Sequence, residues 1–189
     1  MGSDRVTDII RQDHKELGAY YEKYKNAVGE ESKQWFNQFV WELCRHSVAE
    51  ELILYPTLER LGDRGAQLAN QSREDHHKVK ELLEYTLKQD DPYKFESAVD
   101  SIWGNLKQHM DMEEKSDLPM IEQQIKGEAQ NKWLATKFKA AKATAPTRPH
   151  TMVPEKPAAL EAALGMLLAP VDKFMDLFKD FPSAEEARV

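Results

Sequence analysis

The chain has 189 residues, 41% hydrophobic and 31% charged, with a net charge of −7 at pH 7. That balance describes a globular chain long enough for one domain with an appendage, and its acidity excludes the basic stripe of a nucleic-acid binder. One cysteine, Cys44, rules out an internal disulfide, and no apolar run reaches membrane-spanning length.

The first segment, Asp4 to Val28, carries Val6, Ile10, His14, Leu17, Tyr21, Tyr24 and Val28 at steps of three and four. This predicts a helix with His14 on its apolar stripe. Gly29 ends the run, and Ser32 is placed to cap the next helix. The second segment carries Phe36, Phe39, Leu43, His46, Glu50 and Ile53, so His46 and Glu50 belong to its buried face. Pro56 is expected to kink or end this helix, and Gly62 and Gly65 bracket the following turn.

The third segment, about Gly65 to Lys88, places Ala69, Ser72, His76, Val79 and Leu83 on its stripe. Asp90-Asp91-Pro92 is a turn, with Pro92 suited to a first helical turn. The fourth segment carries Phe95, Val99, Ile102, Leu106, His109, Glu113 and Met120, and Pro119 is expected to close it. A short fifth helix is expected from Glu128 to Lys142, using Trp133, Leu134 and Phe138. From 145 to 158 the chain is a Pro-rich connector. Residues 159–182 then predict an amphipathic helix, continuous or broken at Pro170, that docks on the bundle in cis, in a homodimer or against a partner.

Two stretches repeat. His46-Ser-Val-Ala-Glu50-Glu51-Leu-Ile-Leu-Tyr-Pro56 and His109-Met-Asp-Met-Glu113-Glu114-Lys-Ser-Asp-Leu-Pro119 both read His-x-x-x-Glu-Glu-x-x-x-x-Pro. Residues four apart lie on one helix face, so each copy can close an imidazole and a carboxylate on one ion. Upstream, Asp13-His14 is echoed by Asp75-His76, so each half offers one His and then His-x-x-x-Glu. Short connections favour antiparallel neighbours, which predicts an all-α, up-down-up-down four-helix bundle over residues 1–144, short fifth helix included.

His14, His46, Glu50, His76, His109 and Glu113 therefore occupy stripe positions that otherwise hold Leu, Ile, Phe or Val. A buried carboxylate must be protonated, paired or bound to metal, and no Arg or Lys falls on those stripes near the two glutamates. Imidazole and carboxylate without thiolate suit iron, zinc or manganese. Six such donors exceed one tetrahedral zinc and fit two ions bridged by the carboxylates. His77 falls on a charged face with Lys80, Glu81 and Glu84 and is left exposed, whereas Cys44 is a core-edge thiol. His150, in the connector, is a polar loop residue.

With these motifs the chain resembles the hemerythrin-like, or HHE cation-binding, family over about residues 4 to 125. Its connector and terminal helix are similar to the tails of fungal members. The resemblance implies a non-haem di-iron centre in a four-helix bundle. His14 and His46 would hold one iron and His76 and His109 the other, bridged by Glu50, Glu113 and an oxo or hydroxo group from solvent. The oxygen-carrying members have a fifth imidazole where this chain has Lys80. Their last carboxylate is an Asp five residues after its His, whereas here it is Glu113, four after. Lys80 is expected to snorkel to water and leave a coordination position free.

The leading functional expectation is a cytoplasmic di-iron protein that binds O2 or a related small molecule for sensing, storage or detoxification. The alternatives are an O2-activating oxidase or oxygenase with an organic substrate, and an iron-binding regulatory module. Tyr21, Trp41, Tyr55 and Trp103 could line a substrate pocket, although at helical spacing aromatics more often serve the core. No membrane span and no nucleic-acid partner is expected. The first residues lack the apolar h-region of a signal peptide.

Overall fold

The computed structural model describes residues 5–149, Asp172, Asp176 and residues 179–189. All regular structure among them is helical. Helix α1 (Val6–Asn26) packs along α2 (Glu30–Ala49), and α4 (Asp63–Thr86) along α5 (Pro92–Lys115). These are the two hairpins expected from the repeat, closed into an up-down-up-down bundle. The start of α2 differs from expectation. Gly29, at φ 62°, reverses the chain and the helix begins at Glu30, while the Ser32 hydroxyl donates back to the Tyr24 carbonyl. At α5 the expectation holds, with Asp91 Oδ1 accepting the backbone N–H groups of Tyr93 and Lys94.

Pro56 does not end the second helix. A π-helical turn, Glu50–Leu54, follows α2, and the chain continues as α3 (Tyr55–Glu59). Proline has no N–H, and its ring collides with the carbonyl four residues earlier. Widening the preceding turn accommodates it, with the Tyr55 N–H bonding to the Glu50 carbonyl, five residues back. The second half solves the same problem differently. There α5 stops at Lys115, Ser116 bends the chain (φ −122°, ψ −58°), and α6 (Asp117–Gln124) carries Pro119 in its first turn.

The bundle has two apolar clusters. One gathers Leu17, Tyr21, Phe36, Phe39, Leu43, Val79, Leu83, Val99, Ile102 and Leu106. The other gathers Val6, Ile10, Ala49, Leu54, Tyr55, Leu58, Ala69, Leu118 and Ile121, and is covered by Leu134 and Phe138 of α7 (Glu128–Thr144). The histidine of each helix falls between the two clusters, as His14 does between Ile10 and Leu17. A polar layer thus crosses the bundle with apolar packing above and below. Trp133, expected on the buried face of α7, is 53% exposed.

The expected terminal helix, 159–182, lies mostly outside the described residues; Asp172 and Asp176 within it are helical. Asp172 accepts the backbone N–H groups of Thr147 and Arg148, and Asp176 accepts the Thr147 hydroxyl. Residues 179–182, the end of the expected helix, are not helical; there Asn37 donates to the Asp180 carbonyl and Phe181 meets Trp41 edge-on, and further on Tyr20 donates to the Ala187 carbonyl. Residues 180–187 therefore lie against α1 and α2. No described helix is long and apolar enough to cross a membrane.

Candidate metal centre

All six donors singled out in the sequence are buried in the polar layer: His14, His46, His76 and His109 are at most 5% exposed, and Glu50 and Glu113 are at 0%. The i, i+4 spacing works as helical geometry requires. His46 Nε2 lies 3.1 Å from Glu50 Oε1, and His109 Nε2 lies 4.0 Å from Glu113 Oε2. Across the bundle, Glu50 Oε2 is 3.4 Å from His76 Nε2, and Glu113 Oε2 is 3.3 Å from His14 Nε2. Among these six donors, two triads have their ligand atoms within 4.8 Å of one another, His14–His46–Glu50 and Glu50–His76–His109. Glu50 belongs to both.

The outer side of each imidazole faces a second carboxylate, and three of the four are hydrogen-bonded to it. Asp13 accepts from His46 Nδ1 at 3.1 Å, Glu51 from His76 Nδ1 at 2.8 Å, and Glu114 from His14 Nδ1 at 2.8 Å. Asp75 faces His109 Nδ1 at 3.7 Å, wider than a hydrogen bond. An ionised carboxylate only accepts, so each facing Nδ1 carries the proton and a neutral ring turns its lone pair inward at Nε2. This carboxylate–imidazole pairing orients metal-binding histidines and raises their basicity. The arrangement follows the repeat: Asp13 and Asp75, each preceding one histidine, face the histidine of the next hairpin helix, Asp13 within hydrogen-bond distance and Asp75 beyond it. Glu51 and Glu114, each following a central glutamate, hold a first-helix histidine.

Sequence reasoning missed these four carboxylates, although its motifs contained them. The Asp of Asp-His and the second Glu of Glu-Glu recur in both halves, and that recurrence was the available signal. It also missed Asp117, buried at 2% exposure, which accepts the Ser72 hydroxyl. Burial and the neighbouring Glu113 push the Asp117 carboxyl up to about 7.

Lys80 does not reach for water. Its side chain is 13% exposed and its ammonium lies 3.3 Å from Glu51 Oε2. The reason is electrostatic: Glu51 is wholly buried, and a cation beside it offsets the desolvation of its charge. His77 is half-exposed beside Glu81, as expected. Cys44 is buried in the first cluster, where burial raises its thiol pKa to about 12. Tyr55 is fully buried, its hydroxyl 3.0 Å from His76 Nε2. Burial and then Glu50 hold that phenol well above its ordinary range.

The electrostatics of the centre call for positive charge. Burial pulls each imidazole down, yet Glu113 and Glu50 take His14 up to about 10, Glu50 and Asp13 take His46 up to about 9, and Glu50 and Glu51 take His76 up to about 10. Burial raises the Glu50 carboxyl, but the imidazoles around it outweigh this and hold it well below the usual range. Among the described residues the ion pairs of Glu50 and Glu113 are all with histidines. Hydrogen bonding does not satisfy the layer. Both carboxylate oxygens of Glu50 and of Glu113, and Nε2 of His14 and His46, approach one another without hydrogen-bond alignment. Buried polar atoms left this way are costly, and a cation at their focus would engage all of them. The donor set fits metal ions.

Comparison with known proteins agrees with this geometry. The family model "Hemerythrin HHE cation binding domain" matches residues 5–132. An uncharacterized hemerythrin-like protein of Schizosaccharomyces pombe is 36% identical over 190 aligned residues, 94% of this chain and 88% of that protein. A DNA nickase of a Nostoc species is 27% identical over 148 residues, 75% of this chain but 41% of that protein. No solved structure matches the chain. On the match over most of its length and the paired His/Glu clusters in its core, the chain belongs to the hemerythrin HHE cation-binding domain family.

Proposed function

We propose that the chain holds two iron ions, one between His14 and His46 and the other between His76 and His109, bridged by Glu50 and Glu113. The bound centre binds O2 or a related small molecule for sensing, storage or detoxification. The observation that carries this reading is the sharing of Glu50 between two imidazole pairs whose outer nitrogens face carboxylates. Imidazole and carboxylate donors with no thiolate suit iron. When bound, such a pair of ions would supply reversible redox chemistry toward a small diatomic ligand.

The chain's own residues do the rest. Asp13, Glu51 and Glu114 hold three imidazoles in the tautomer that offers Nε2 inward. The apolar clusters on either side exclude bulk water, and Lys80 balances Glu51. A nuclease reading taken from the Nostoc relative is not adopted. Under half of that protein is matched, and the net charge of −7 disfavours a polyanionic partner.

Anaerobic ferrous loading followed by air exposure tests the proposal. Metal analysis should give two irons per chain, and absorption spectra should show an adduct that reverses on removing O2. Rapid irreversible oxidation would transfer the reading to an O2-activating oxidase, and a chain that takes up no iron would overturn both.

A further inference from the structure

Tyr55 is the aromatic residue that the π-helical turn carries into the polar layer. In an α-helix the residue above Glu50 on the same face would be Leu54, four positions on. Across the π turn the repeat is five residues, and the Tyr55 N–H bonds to the Glu50 carbonyl. The turn therefore stands Tyr55 over Glu50 and aims it at the layer. In the second half the corresponding residue, five after Glu113, is Leu118, which lies in the apolar cluster.

The position of the hydroxyl is specific. Tyr55 Oη lies 3.0 Å from His76 Nε2, and His76 Nε2 lies 3.1 Å from His109 Nε2. Ions of this class hold oxygen and nitrogen donors at about 2.0–2.1 Å, so adjacent corners of an octahedron are about 3 Å apart. Both separations match such an edge. The hydroxyl is also committed to the one atom that a metal would claim. Once His76 Nε2 binds an ion, a fully buried phenol loses its acceptor and is left unsatisfied, which is costly. Turning to the same ion removes that cost. Other tyrosine hydroxyls of the bundle are engaged elsewhere, Tyr20 with the Ala187 carbonyl, Tyr21 with Asp100 and Tyr24 with Glu96.

We propose that Tyr55 is a protein ligand, bound as a phenolate, to the ion held by His76, His109 and Glu50. On coordination the O–H bond breaks, the proton leaves to solvent and the oxygen donates a lone pair to the metal. The two ions then differ: one has an oxygen donor beyond the shared carboxylates and the other does not. The inference rests on the proposed iron centre, and deepens it by supplying a ligand in the half where a fifth imidazole is missing.

Ferric iron bound to a phenolate absorbs visible light by charge transfer from oxygen to metal, and laser excitation in that band enhances tyrosine ring vibrations. The test loads the full chain with iron, oxidises it and compares wild type, Tyr55→Phe and Tyr21→Phe by metal analysis, visible absorption and resonance Raman spectroscopy. Wild type and Tyr21→Phe should show the band and the ring modes, and Tyr55→Phe should lose both while keeping iron and helical circular dichroism. Iron-loaded wild type without a tyrosinate signature, or a signature that survives Tyr55→Phe, overturns the assignment while leaving the iron centre standing. Absence of bound iron in wild type overturns the centre itself, and the assignment with it.

Discussion

Lys142 stands on α7, outside the four bundle helices, with its side chain 12% exposed and its ammonium 2.7 Å from Asp13 Oδ2. The same ammonium meets Glu42 Oε1, and the Asp13 and Glu42 side chains are only 6% and 5% exposed. Burial pulls the Lys142 pKa down, but Glu42 and Asp13 outweigh it and the net direction is up. Burial pushes Asp13 up, but His46 and Lys142 outweigh it and the net direction is down. Lys142→Met keeps most of the packed stem and removes the charge. Removing one partner of a buried ion pair costs about 3–5 kcal/mol. Asp13 keeps His46 Nδ1, and Glu42 keeps Arg45 at 3.3 Å, so the expected loss is at the lower end, about 3 kcal/mol. For a chain of this size that is a fall in Tm of about 6–12 °C. Because Asp13 orients His46, iron affinity at the His14–His46 triad should fall about 10-fold. Urea unfolding of the metal-free chain and an iron titration read the two effects, with Lys142→Arg expected to restore most of both. A loss below about 1 kcal/mol with unchanged iron affinity would refute the idea that α7 supports the centre.

Replacing either of the carboxylates proposed to bridge, Glu50→Ala or Glu113→Ala, should release iron from both positions rather than one; full retention of metal by both variants would break the bridging assignment. Glu51→Gln leaves His76 without its ionised acceptor and should weaken the His76–His109 ion by about 10–100-fold, moving iron content from two per chain towards one at limiting metal. In the metal-free chain, imidazoles raised to about 9–10 contribute stability that is complete below their unfolded pKa, about 6.5. That contribution is lost as pH rises through 9–10, so the metal-free Tm should fall between pH 7 and 10. Iron replaces those protons and stabilises by mass action, so the iron-loaded chain should melt higher at pH 7 and widen its lead as pH rises. Parallel profiles for the two forms would contradict the shared site.

The six inward donors were legible because the helix imposes its own ruler. His46 and Glu50, like His109 and Glu113, stand four apart on stripes that otherwise hold aliphatic and aromatic residues, and any α-helix that buries the stripe must bury the pair. The bundle followed from the repetition of that pattern in two hairpins, and the exposure of His77 from its charged neighbours. Local pattern also encoded the proline devices, but not their outcome. One proline sits after a π turn and the other after a bent residue, and only the surrounding packing distinguishes them.

What the tertiary structure alone decided lies between elements. Asp13 holds a histidine on α2, Glu51 one on α4 and Glu114 one on α1; these are contacts between residues far apart in the chain, which no periodicity specifies. Lys80 turned inward because Glu51 is wholly buried, a fact fixed by the packing of α3 against α4 and of the π turn against α2 and α7. Lys142 came from a helix that the bundle pattern does not require. Periodicity sets which face of a helix is buried. Which charges then meet across that buried layer depends on helix register and tilt, set by the fit of whole side chains.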